Sequence, residues 1–118
     1  MLEIPRIERT LDLGECDPSY TGLHLQVWVN VSRRHRTAYA GVFRQFAEAV
    51  ETKDLEAMSR VGPTLAAWWS EVWGVSADEA LRFYNDASTD LWDWVVRESF
   101  ALIEAYRLET AGPKVSTG

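Results

Sequence analysis

The chain has 118 residues, of which 47% are hydrophobic and 25% charged, and these values are ordinary for one globular domain. No run of about 18 uncharged apolar residues occurs, and the first ten residues lack the apolar core of a secretory signal, so neither a transmembrane helix nor export is expected. The net charge of −6 disfavours bulk attraction to nucleic acid or to an anionic membrane. The single cysteine, Cys16, cannot form an intramolecular disulfide, which fits a reducing, cytoplasmic compartment.

Two segments near the N-terminus alternate between apolar and polar residues, the pattern of half-buried β-strands. They cover residues 7–13 and 23–31, and the segment between them is rich in turn-forming residues. We therefore expect an antiparallel hairpin with a long loop. Because two strands are marginally stable by themselves, the hairpin has to rest on helices or on another protomer.

The apolar period changes to 3.6 at Ser32, which is expected to cap a helix running to about Thr52. A short helix over residues 54–60 is expected to end before Pro63, which would begin the next helix. That helix is expected to stop at Gly74. A capping box at residues 76–79 opens a further helix. This helix either stops near Ala87 and restarts after Ser88 or Thr89, or continues unbroken to about Glu109, and we favour two helices or one kinked helix. The core-facing arc of the first helix is expected to contain Tyr39, Val42, Phe43, Phe46, Ala49 and Val50.

Together these elements predict an α+β protein that is mainly α. An N-terminal antiparallel β-hairpin is expected to pack on a bundle of about four to five helices. Residues 1–110 are expected to form a single domain, and residues 111–118 a flexible C-terminal tail.

The last helix is apolar over roughly 240° of its circumference between residues 91 and 108, so it needs cover on nearly every side. Either it is the central helix of the bundle, or part of it meets another chain, and we expect the protein to form a homo-oligomer. The adjacent pair Trp68 and Trp69 cannot face a single core direction, and neither can Trp92 and Trp94. These rings either fill a tryptophan-rich core or, as we favour, supply a protein interface. The candidate interface residues are Trp68, Trp69, Trp73, Trp92, Trp94 and Phe100.

No motif for catalysis, metal binding or nucleotide binding is visible in the sequence. Cys16 has only His24 and His35 as bases in the chain, and the two histidines lack zinc-ligand spacing. The carboxylates mostly read as solvated helix faces. We therefore expect neither an enzyme nor a protein with a cofactor or metal.

One basic cluster, made of Arg33, Arg34, His35 and Arg36, lies in the first turn of a helix, where positive charge opposes the helix dipole. Its arginines are expected to face hairpin carboxylates or solvent, and His35 to pack beside Tyr39. Binding an acidic protein partner is the next alternative. Contact with nucleic-acid phosphates, as in a small regulator, is a further alternative, and the net negative charge of the chain makes it less favourable.

The sequence from Tyr20-Thr21-Gly22-Leu23 into Gln26-Val27-Trp28-Val29-Asn30 is an extended segment that ends in asparagine at a helix start. Acidic helices follow, with the junction Trp73-Gly74-Val75-Ser76 among them. Over about residues 20–109 this resembles small phage and prophage tail assembly chaperones, although the longer Gly/Pro loop between the later helices is missing.

The resemblance implies a non-enzymatic protein that binds a helix-rich tape-measure protein and keeps it soluble while the tail tube assembles. It implies no cofactor and no catalytic residue. A small nucleic-acid-binding regulator that uses residues 33–36, and a small enzyme, are the alternatives.

Overall fold

The structure is a computed structural model that describes residues 2–116, with the side-chain surroundings of residues 2–111. Within this range it has a two-stranded hairpin followed by four α-helices, which confirms the predicted α+β, mainly α class. The chain divides into two compact units, one built from Met1–Asn30 with Ser88–Gly118, the other from Val31–Ala87. Residues 1–110 contribute to both units, and their folding as one domain stays a prediction.

The first unit begins with strands β1 (Glu8–Asp12) and β2 (His24–Trp28), which pair antiparallel with Arg9 opposite Val27. Both strands are shorter than predicted. β1 ends because the Asp12 side chain accepts the backbone N–H of Gly14 and so caps a 3₁₀ turn over Leu13–Glu15. Beyond β2, the Asn30 side chain continues the pairing. Its Oδ1 accepts the N–H of Ile7 and its Nδ2 donates to the carbonyl of Pro5, both at 2.8 Å.

Helix α4 (Thr89–Ser116) packs against both strands of this hairpin. Ser88 caps its start, with Oγ accepting the N–H of Leu91 at 3.1 Å. On the exposed side, the Arg9 guanidinium lies 5.6 Å from the ring centre of Tyr106 and 4.0 Å from the carboxylate of Glu109. The buried positions of α4 follow helical spacing: Leu91, Trp92, Val95, Ser99 and Ile103.

The second unit contains helices α1 (Arg33–Glu51), α2 (Leu55–Trp73) and α3 (Ala77–Asp86), with α2 packed against both α1 and α3. The predicted caps are confirmed. The hydroxyls of Ser32 and Ser76 each accept an N–H three residues on, at 3.1 Å. Gly74 ends α2 in the left-handed region with φ 66°, which glycine adopts without strain.

The predicted helix break at Pro63 is wrong, because α2 continues through it. Proline in a helix interior lacks the N–H that would bond to the carbonyl four residues earlier, at a cost of about 3 kcal/mol. Packing offsets that cost, since Gly62 is buried directly before Pro63 and the Tyr84 ring of α3 lies against it. Further along, Leu65 and Ala66 are also buried.

The prediction that the apolar arc of α1 faces the core holds only in part. Ala49 is its one buried member, whereas Val42, Phe46 and Tyr39 are half-buried. Phe43 and Val50 remain 49% and 48% exposed. The reason is that α1 packs on α2, and one neighbouring helix covers a stripe narrower than the predicted arc.

The expected break near residue 88 is present, and it separates α3 from α4. In the tail predicted over residues 111–118, the backbone is helical as far as Ser116. Residues 117 and 118 lie outside the described part of the chain, as do the side chains after residue 111. No described helix has the length and hydropathy that crossing a membrane would require.

Candidate protein-binding surface

Three of the predicted interface residues, Trp68, Trp69 and Trp73, form the aromatic centre of the second unit. All three are buried. The rings of Trp69 and Trp73 stack with their centres 4.9 Å apart, and Trp68 meets Trp69 edge-on at 5.0 Å. Trp73 in turn meets Phe83 of α3 edge-on at 5.8 Å. These rings therefore join the helices of the unit, as the alternative of a tryptophan-rich core proposed.

The geometry of α2 explains how adjacent tryptophans are both buried. As adjacent residues of a helix, Trp68 and Trp69 cannot both face one core direction. Because α2 lies between α1 and α3, it has neighbours in two directions. Tyr39 of α1 contacts both rings, at 4.3 Å from Trp68 and 5.9 Å from Trp69. Burial in this cluster raises the pKa of the Tyr39 phenol to about 12.

His35 is the member of the basic cluster that turns inward, as expected from its place beside Tyr39. Its ring stacks on Trp68 with centres 4.3 Å apart and planes 9° from parallel. Nε2 lies 3.2 Å from the carbonyl oxygen of Trp68, and Nδ1 lies 3.2 Å from the carboxylate of Glu71. Trp68 Nε1 donates to the His35 carbonyl at 2.7 Å. His35 thus fixes α1 on α2, and this geometry gives it a structural role.

The other predicted interface residues lie on α4, and they differ in exposure. Trp92 is buried, Trp94 is half-buried and Phe100 is 37% exposed. Trp94 therefore points away from the buried side of α4 that contains Trp92, since adjacent-but-one residues lie about 200° apart on a helix. Whether these residues form an interface stays a prediction.

Trp94 begins a row of apolar side chains along the outer side of α4. Ala101, Ala105 and Leu108 follow it at spacings of seven, four and three residues, which places them on one helix face. Leu108 is 57% exposed and both alanines are exposed. We call Trp94, Ala101, Ala105 and Leu108 the α4 outer stripe. It extends about 21 Å along the helix axis at 1.5 Å per residue.

The charged groups beside the α4 outer stripe are of both signs. Glu104 accepts two hydrogen bonds from the guanidinium of Arg107, one of them from Nε at 3.1 Å. This contact and the carboxylate charge raise the pKa of Arg107. Arg97 and Glu98 lie three and four residues after Trp94, so they share its helix face and interrupt the apolar row before Ala101. The uninterrupted apolar part of the α4 outer stripe therefore runs from Ala101 to Leu108. An apolar row with charged neighbours is a form that helix-binding surfaces take.

The residues considered for chemistry are distributed over both structural units. Cys16 is a half-buried free thiol in the hairpin loop. His24 is exposed at the start of β2, in the same unit as Cys16, whereas His35 belongs to the other unit. No group of three or more His, Cys, Asp or Glu side chains among the described residues is placed to hold a metal ion.

Two open grooves flank α2 within the second unit. One, of about 660 Å³, lies between α2 and α3 and has mainly apolar walls that include Met58, Pro63 and Leu81. The other, of about 370 Å³, lies between α1 and α2 and has polar walls that include Gln45 and Arg60. Both are wide open, and neither combines the enclosure and the convergent polar groups typical of a small-molecule site.

The exposed side of α1 is a further candidate surface that the sequence did not indicate. Phe43 and Val50 were assigned to the core because they fit its apolar period. Periodicity cannot distinguish them from core residues, because it does not show how many neighbouring helices cover α1. No acidic residue lies in the first turn of α1 and no basic residue in its last turn, so its terminal charges are unfavourable for the helix dipole.

Comparison of the chain with protein-family models, with curated proteins and with solved structures found no match.

Proposed function

We propose that the protein is a non-enzymatic assembly factor that binds a helical segment of another protein on the α4 outer stripe. The observation that carries the proposal is the row of Trp94, Ala101, Ala105 and Leu108, half-buried at Trp94 and exposed at the other three residues, on a helix whose opposite side is already buried. Burying such a row contributes about 25 cal/mol per Å² of apolar area, and a helical partner matches its heptad spacing.

The resemblance to phage and prophage tail assembly chaperones supplies the kind of partner. A tape-measure protein is long and helix-rich, so it offers many amphipathic segments that need cover before the tail tube forms. The net charge of −6 would keep such a complex soluble. In this role the protein acts in the cytoplasm, needs no cofactor and works as an oligomer.

The test is co-expression with the tape-measure-type protein encoded by the same genome, followed by co-purification. We expect the protein to raise the soluble yield of that partner. Changing Leu108→Ser on the α4 outer stripe should lower the co-purified amount at least about tenfold, because the substitution removes the large apolar side chain that is most exposed on the stripe.

A matched control is Leu23→Ser, since Leu23 is exposed to nearly the same extent, 54%, but lies in the loop before β2. This variant should co-purify with its partner within about twofold of the original protein. Equal effects of the two substitutions would reject the α4 outer stripe as the binding surface. No change in partner solubility on co-expression would reject the chaperone role.

A further inference from the structure

Helix α1 carries a second exposed row, and it lies in the other structural unit from the α4 outer stripe. Its members follow one another at spacings of four, three, four and three residues, the heptad pattern of helices that pack side by side. All are exposed in the structure. We call them the α1 outer stripe: Arg36, Ala40, Phe43, Ala47 and Val50.

Large and small side chains alternate along the α1 outer stripe. Phe43 and Val50 project as knobs that are about half exposed, and Ala40 and Ala47 leave shallow spaces between them. In an antiparallel pair in which Arg36 of one copy faces Glu51 of the other, Ala40 lies opposite Ala47 and the two Phe43 side chains meet at the twofold axis. The small alanine pairs on both sides of this centre allow the two helices to approach closely.

The charges of α1 are separated along its length. Arg33, Arg34 and Arg36 lie in the first turn, while Glu48 and Glu51 lie near the end. None of these five side chains forms an ion pair with any residue in the described part of the chain. At both ends the charge has the sign that the helix dipole disfavours, typically by about 0.3–1 kcal/mol for each charge.

An antiparallel arrangement of two copies gives the unfavourable terminal charges of each α1 favourable partners on the other copy. Arg36 of one copy then faces Glu51 of the second, and about 22 Å along the helix the same pair repeats with the copies exchanged. Each basic end also lies beside the negative end of the other helix dipole. A parallel pair would instead place arginine against arginine and glutamate against glutamate.

We propose that the α1 outer stripe is an antiparallel self-association surface that holds two copies of this chain together through α1. This surface is distinct from the α4 outer stripe, where charges of both signs are mixed and Glu104 is already paired with Arg107. The dimer surface and the binding of a helical partner can therefore fail separately in experiment.

The test measures the dimer dissociation constant of the full chain by sedimentation and light scattering. We expect a mass of twice 13.4 kDa at concentrations above about 100 µM, in the range of modest helix interfaces. Ala47→Glu, on the α1 outer stripe, should raise the dissociation constant at least about tenfold. The control Ala38→Glu should leave it within about twofold, because Ala38 is also exposed but lies nine residues away, on the opposite face of α1.

Charge exchange tests the orientation of the two helices. Arg36→Glu and Glu51→Arg should each weaken the dimer, because each leaves two like charges facing across the contact. The double variant should restore the dimer, because its two exchanged side chains again form an oppositely charged pair between the copies. The same register places the two Arg44 side chains side by side at the twofold axis, so Arg44→Gln should tighten the dimer.

Three results would overturn the proposal. A monomer at every accessible concentration would exclude self-association. Equal weakening by Ala38→Glu and Ala47→Glu would place the contact elsewhere. A double charge exchange that does not restore the dimer, with circular dichroism showing a folded chain, would exclude the antiparallel pairing.

Discussion

At the scale of one residue, Gly62 shows how close packing limits which side chain fits at a position. A Cβ at this position would lie 2.7 Å from the hydroxyl oxygen of Tyr84 and 2.8–2.9 Å from two of its ring carbons. At Gly41, in the middle of α1, the corresponding point has no heavy atom within 4 Å apart from those of the adjoining residues and nearby helix backbone. The two glycines are therefore a natural pair for comparing helix propensity with steric cost.

We expect Gly62→Ala to lower the free energy of unfolding by about 1 kcal/mol, because crowding against Tyr84 exceeds the gain of about 1 kcal/mol in helix propensity. Gly41→Ala should raise it by about 0.5–1 kcal/mol. Chemical denaturation measures both. The two substitutions should be coupled, because Tyr84→Leu removes the ring that crowds position 62. Tyr84→Leu should therefore change the free energy of unfolding more favourably in the Gly62→Ala variant than in the original chain. Stabilisation by Gly62→Ala equal to that by Gly41→Ala would show that Tyr84 does not lie on Gly62.

Tyr39 gives the protein a dependence on alkaline pH. Its pKa is raised to about 12 by burial, against about 10 for an exposed phenol in the unfolded chain. Between pH 10 and 12 the folded state holds more protons than the unfolded state. The contribution of the buried phenol to the free energy of unfolding is therefore fully present below pH 10 and is lost as the pH rises toward 12.

We expect Tyr39→Phe to remove this part of the decline. The measurement is the denaturant midpoint of each protein at several pH values between about 9 and 11.5, and the slope of the midpoint against pH is compared between the proteins. Tyr20→Phe, in the hairpin loop, controls for the loss of one of the four tyrosines. The same pH slope in Tyr39→Phe as in the original chain would contradict the assignment.

At the scale of the element, α2 tests how far packing overrides a helix-breaking residue. We expect Pro63→Ala to raise the free energy of unfolding by about 1–2 kcal/mol, because the new N–H restores a helical hydrogen bond while the unfolded chain gains some entropy. Denaturation and far-ultraviolet circular dichroism would measure it, with Pro18→Ala as a control proline at a 3₁₀ start. A loss of stability would favour two helices separated at this point.

Helix ends could be predicted from the sequence, whereas the continuity of α2 and the exposure of α1 could not, and this difference has a physical basis. Caps such as Ser32, Gly74 and Ser76 act through atoms a few residues away, so local sequence is sufficient to find them. The continuity of α2 through Pro63 depends on Tyr84, which lies on another helix. The exposure of Phe43 depends on how many helices surround α1, and the apolar period of a sequence does not show that number.

The same limit applies to the candidate surface. Sequence reasoning identified Trp94 and Phe100, which retain exposed area, together with Trp68, which is buried between helices. Aromatic residues serve cores and interfaces equally well by composition. Only the position of α2 between two neighbouring helices separates the two uses here.

At the scale of the whole molecule, the unit Val31–Ala87 is continuous in sequence and contains its own aromatic centre. The contacts of His35 with Trp68, of Trp73 with Phe83 and of Gly62 with Tyr84 all lie inside it. We expect a fragment of residues 31–87 to be helical and to show the near-ultraviolet circular dichroism of packed tryptophans. A helical signal without the near-ultraviolet bands would mean that this centre needs the rest of the chain to pack.

The other unit joins a hairpin and a helix that lie on opposite sides of that continuous segment in the sequence. On the ribosome, strands β1 and β2 therefore emerge before α1, α2 and α3, and they have no α4 to pack against until residues 89–116 have also been made. At typical elongation rates of about 5–20 residues per second, this leaves the hairpin waiting for several seconds while α1, α2 and α3 can already pack together. In stalled nascent chains that expose residues 1–87, a protease should cut the hairpin region before the α2 tryptophan region, and the reverse order of cutting would contradict this sequence of folding.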